Sequence, residues 1–140
     1  MKLSKYFTYS ELTFSETAKR LKYTNQPPPK ELKSLTNTAQ QLDKVRELLG
    51  CPVIINSGYR SLAVNRAIGS SDNSQHVRGE AVDFRTIEHT PRRIVELIKQ
   101  SNIEFDQLIL EYESWVHISF SARNRRQVLI IDSKGSRNFV

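Results

Sequence analysis

The chain has 140 residues, room for one domain and one hydrophobic core. Lys and Arg number 21 against 15 Asp and Glu, a formal net charge of +6, and 38% of the residues are hydrophobic. This balance excludes a disordered tail, the single Cys51 excludes an internal disulfide framework, and no apolar run nears the roughly 18 residues of a spanning helix.

The N-terminal stretch from Met1 to Phe7 turns polar at once and shows no apolar signal core, so synthesis in the cytoplasm is expected. Within 6–24, Ser10-Glu11-Leu12 and Ser15-Glu16-Thr17-Ala18 each pair a hydroxyl cap with an acid and predict two helix starts. Asn25-Gln26-Pro27-Pro28-Pro29 then interrupts helix. Leu32, Leu35, Ala39, Leu42, Val45 and Leu49 recur at spacings of three and four, one apolar helical face closed by Gly50.

Pro52 to Asn56 reads as a short buried strand stopped by Ser57-Gly58, Leu62 to Ile68 as a helix, and Gly69 to Ser74 as a loop. Ala81 to Arg85 predicts a second strand, and Thr90-Pro91 opens a helix carrying Ile94, Leu97 and Ile98. Phe105 to Tyr112, Trp115 to Phe120 and Val128 to Ile131 are apolar, β-branched or aromatic and predict three more strands. The order implies a single α+β domain with a small antiparallel sheet flanked by helices. It divides into a helical part at about 6–50, a central core at about 51–121 and a C-terminal strand and tail at about 122–140.

Polar residues stand where a small core should be apolar. His76 ends a loop, Asp83 lies inside an apolar strand, and His117 sits between Val116 and Ile118. A buried carboxylate is costly unless paired or metal-bound. Two imidazoles and a carboxylate suit a catalytic zinc, which leaves a fourth position for water and lowers that water's pKa. The plainer alternative is a His76–Asp83 hydrogen bond with His117 as a satisfied core histidine, and spacing alone does not decide between them. His89 lies outside these segments and reads as surface, and Cys51 reads as a small buried residue.

Together these segments resemble the zinc D-Ala-D-Ala carboxypeptidase/endopeptidase family, the M15 peptidases, in the branch of phage and prophage murein hydrolases. The family's Ser-x-His-x-x-Gly-x-Ala-x-Asp motif reads Ser74-Gln75-His76-Val77-Arg78-Gly79-Glu80-Ala81-Val82-Asp83. Its arginine motif reads Ser57-Gly58-Tyr59-Arg60-Ser61, and its last ligand segment Trp115-Val116-His117-Ile118-Ser119. The resemblance runs from about Tyr6 to Ser121 and implies a hedgehog/D-Ala-D-Ala-peptidase-like fold.

It also implies that His76, Asp83 and His117 hold Zn2+, with Arg60 taking a substrate carboxylate or the oxyanion of the scissile carbonyl. Ser74 is expected to orient the ligand loop and line the substrate site, with Gln75 in a similar orienting role. Tyr59 and Trp115 either line the cleft or pack in the core. The general base falls to Glu111, at the end of a strand, with Glu113 in the following turn as the alternative. Relatives with an acid three residues before the last ligand have Ser114 there in this chain.

The implied function is zinc-dependent hydrolysis of an amide bond in the murein stem peptide or cross-link, by a monomer acting at the bacterial wall after release or from a virion. Expected partners are a peptidoglycan peptide and, through the net charge, anionic wall polymers. Neither specific nucleic-acid binding nor membrane insertion is expected. The rivals are a non-catalytic basic module that binds wall or nucleic acid on the same fold, and a domain in which zinc is only structural.

Overall fold

The computed structural model describes all 140 residues. Helix α1 (Tyr9–Thr13) begins earlier than Ser10 suggests, because Thr8 and Glu11 cap each other's backbone N–H reciprocally. Helix α2 (Glu16–Leu21) starts at the predicted Ser15 cap. Helix α3 (Pro29–Leu49) buries Leu35, Ala39, Leu42, Val45 and Leu49 along the expected face and ends at Gly50 in the left-handed region.

Strand β1 (Ile54–Ser57), helix α4 (Leu62–Ala67), strand β2 (Ala81–Arg85) and helix α5 (Pro91–Gln100) follow. Strands β3 (Gln107–Glu111), β4 (Trp115–Ser119), β5 (Gln127–Asp132) and β6 (Gly135–Asn138) complete one sheet in the order β1-β2-β4-β3-β5-β6. The fold is α+β, a six-stranded sheet flanked by helices.

The sheet corrects one expectation. Four of its five pairings are antiparallel, but β5 runs parallel to β3. Both edges of β4 are taken by β2 and β3, and β5 joins the free edge of β3. The 120–126 connection leaves β4 at the end where β3 begins, and β5 therefore starts level with β3, Gln107 opposite Gln127. Strand β6 is wholly exposed and polar, which is why apolar patterning missed it.

Side-chain alternation sorts the sheet into two faces. Val82, Phe84, Leu108, Leu110, Val116 and Ile118 are fully buried in the core with Ile94, Val95 and Ile98 of α5. Burying one such side chain contributes roughly 1.5–3 kcal/mol. The intervening Asp83, Glu111 and His117 consequently point to the opposite face.

Candidate metal centre and active site

Three adjacent strands and one loop build the site. Asp83 on β2 stands directly opposite His117 on β4, and Glu111 on β3 opposite Trp115. At β1 a bulge between Ile55 and Ser57 lets Ile55 pair with Phe84 on the core side while Ser57 pairs with Asp83 on the site side. The chain then turns at Gly58, where any Cβ would collide with the Leu12 carbonyl of α1. Arg60 N–H donates to the His76 carbonyl at 3.2 Å, so the arginine segment and the histidine loop are joined.

That loop is held at both sides of His76. The Ser74 hydroxyl accepts from the His76 N–H, and buried Gln75 donates to Asp106 Oδ2 at 2.9 Å and to Glu80. Gly79 has φ +74°, and a Cβ there would lie 2.6 Å from the Glu31 carbonyl of α3. Buried Thr38 of the same helix donates to the Gly79 carbonyl at 2.8 Å.

His76, Asp83 and His117 place their candidate ligand atoms within 4.8 Å of one another. His76 Nδ1–H donates to the Gly58 carbonyl at 2.8 Å, which leaves Nε2 as the bare, lone-pair-bearing nitrogen. Nε2 is buried, has no hydrogen-bond partner and faces Asp83 Oδ2 at 3.3 Å. Two acceptors facing each other in a buried site call for a cation between them, so the donor set fits a metal. Asp83 Oδ1 meets His117 Nδ1 at 2.9 Å.

The electrostatics agree. Burial pushes His76 below its ordinary value and keeps the ring neutral, the form that ligates metal. Burial also works against an ionised Asp83, but His76 and His117 outweigh it and hold the carboxyl well below the usual range. Glu111 is raised, first by burial and then by the charge of Asp83, as suits a proton acceptor that must later release its proton. Its Oε1 lies 3.9 Å from His117 Nδ1.

Arg60, mostly buried, approaches Asp83 Oδ2 at 3.8 Å and donates to Asn65 Oδ1 at 3.3 Å, while its buried Nε has no partner. A guanidinium so poorly hydrated holds a nearby anion strongly. Arg60, Ser74, His76, Asp83, Glu111, Trp115 and His117 share a cleft of about 430 Å³.

Two expected residues stand elsewhere. Tyr59 packs in the core at 5% exposure and is not a wall of the cleft. Glu113 sits at the tip of the β3–β4 turn, exposed and paired with Arg92 at 2.6 Å, while Tyr112 and Glu113 both take positive φ. Of the two candidate bases, Glu111 is the one in the cleft. His89 is half-buried rather than free at the surface, its Nε2 donating to the Leu49 carbonyl at the end of α3.

Sequence reasoning missed three supports. Asn65, fully buried in α4, accepts from Arg60 and donates to the Ser71 carbonyl; an asparagine in an otherwise apolar helical turn was the available signal. Asn25 donates to the Thr13 and Tyr59 carbonyls and accepts from Ser61 N–H, though it reads merely as the start of a proline break. Asp106, fully buried, gathers Gln75, Arg123 and Arg125; its signal was a lone acid at a strand start with an arginine-rich loop to follow.

Comparison with curated proteins finds none that matches the chain. The family model Peptidase M15 matches residues 5–119, from the first turn before α1 through the last residue of β4, and so takes in every residue of the cleft. The chain therefore belongs to the peptidase M15 family.

Proposed function

We propose that the protein is a zinc-dependent peptidase that hydrolyses an amide bond in the stem peptide or cross-link of peptidoglycan. The convergence of His76, Asp83, His117, Glu111 and Arg60 on one cleft, in a chain of this family, is the observation that supports it most.

His76, Asp83 and His117 would hold the metal. Zinc, when bound there, supplies Lewis-acid polarisation of the scissile carbonyl and a lowered pKa for water. Glu111 takes a proton from the attacking water and hands it to the departing amine nitrogen as the C–N bond breaks. Arg60 donates to a substrate carboxylate or to the oxyanion that develops on the carbonyl. Ser57, Ser74 and Trp115 form the walls that orient the peptide.

The decisive experiment is digestion of purified murein, read by mass spectrometry of the released fragments, with and without a chelator. Release that stops with chelator and returns with zinc, and that is absent in His76→Ala, is expected; the fragment masses identify the bond cut. Fragment release by a metal-free His76→Ala protein would sink the proposal, and murein binding without any release would favour a non-catalytic module.

A further inference from the structure

A second cavity, of about 300 Å³, adjoins the cleft and shares His117 and Ser74 with it as walls. Its other principal walls are Arg78, Gln107, Arg123 and Arg125. The sheet order places it. Arg60 follows β1 and leans on Asp83 of β2, the candidate ligands Asp83 and His117 stand on β2 and β4, and Gln107 belongs to β3. Arg60 and the arginine cavity therefore lie on opposite sides of the candidate metal centre.

The three arginines are positioned and not fully used. Arg125 grips Asp106 with Nε and Nη2, at 2.7 and 3.0 Å, leaving Nη1 free. Arg123 spends only Nη2 on the same carboxylate, at 3.2 Å. Arg78 gives Nε to Glu80 at 3.1 Å and Nη1 to the Asn73 carbonyl at 3.0 Å, leaving Nη2. Three guanidiniums thus face two carboxylates, Asp106 and Glu80, and one of those, Asp106, is wholly buried behind them. The cavity carries net positive charge and spare donors in a preset arrangement.

The geometry points to a carboxylate-binding subsite beyond His117, formed by Arg78 and Arg123 with Arg125 as their fixed neighbour, which takes an acidic group of the peptide being cut; it rests on the peptidase reading above. Strands lie about 4.8 Å apart, so crossing from β2 to β3 spans roughly 10 Å, the reach of about three extended residues. The bound peptide would carry one anionic group toward Arg60 and another, one to two residues beyond the scissile amide, toward Arg78 and Arg123.

The test uses a synthetic murein stem peptide and twins in which each carboxylate is amidated in turn, titrated into the full-length protein by calorimetry and separately assayed for cleavage. One amidation is expected to weaken binding about tenfold in the wild type and to have no effect in the Arg78→Gln/Arg123→Gln variant. The Lys counterpart, Arg78→Lys/Arg123→Lys, should restore the preference. Both side chains are about half exposed and Arg125 retains Asp106, so a melting curve checks that the fold persists. If no amidation effect is removed by the double Gln variant, the subsite is overturned. Cleavage without such an effect removes the subsite alone; a carboxylate preference that depends on the arginines, without cleavage, removes the peptidase reading and leaves the subsite.

Discussion

Asp106→Asn tests how the site is held together. The Asp106 carboxylate is fully buried and receives Arg125 Nε at 2.7 Å, Arg125 Nη2 at 3.0 Å, Arg125 N at 3.2 Å, Arg123 Nη2 at 3.2 Å and Gln75 Nε2 at 2.9 Å. Asparagine keeps the shape but loses the charge and turns an N–H2 toward donors. Arg123 and Arg125, at 54% and 37% exposure, can return to water, so each loses no more than a surface pair, under about 1 kcal/mol. Gln75 is buried and loses a charged acceptor, at about 1–3 kcal/mol.

Together these come to about 1–5 kcal/mol. At about 2.1 cal/mol/K per residue, melting entropy converts this to a Tm lower by roughly 3–17 °C. Because Gln75 adjoins His76, zinc affinity should weaken as well, by about tenfold. The sign with pH follows from the carboxyl being held below its ordinary range, chiefly by the Arg125 hydrogen bonds. Its contribution is complete above the unfolded value of about 3.9 and fades as pH falls toward the lower folded value. The stability gap between wild type and variant, from urea titrations, should therefore be full near neutrality and close on acidification. A gap that stays constant down to about pH 3, or a Tm within about 2 °C of wild type, would refute the reasoning.

Glu111→Gln should lower kcat by roughly 10²–10⁴-fold while leaving zinc stoichiometry intact, whereas Glu113→Gln should stay within about twofold; murein turnover and metal analysis distinguish them. Gly79→Ala should destabilise the protein by roughly 2–4 kcal/mol in a urea titration, since a left-handed conformation and contact with the Glu31 carbonyl both penalise a methyl.

Some of this architecture was legible from local pattern and some was not. Helix α3 and strand β2 were, because a run of apolar residues decides each within a few positions and Gly50 stops α3. Strand β6 lacks that signal, being polar on both faces and paired only at the sheet edge. The parallel entry of β5 depends on occupied edges far away in sequence, and on the tie between Asp106 and the 123–125 loop, which no local window contains. Asp83 and His117 stood out as polar residues in apolar strands, whereas His76, in a loop, was singled out only by the Ser74–Asp83 motif. What Asn25, Asn65 and Asp106 support, the carbonyls, arginines and Gln75 they join, comes together only when the chain has folded.

Register binds these two levels together. If β2 slipped by one residue against β4, Val82 and Phe84 would turn toward the cleft and Asp83 would enter the core. A carboxylate there, away from His76, His117 and Arg60, would have no partner, at a cost of several kcal/mol. Asp83 therefore penalises every register except the one that places it opposite His117. The bulge at β1 extends the same logic, since without it Asn56 would face Asp83 and the turn into Gly58 and Arg60 would start one residue late. The polar residues that would hold the metal thus also select the strand alignment that brings them together.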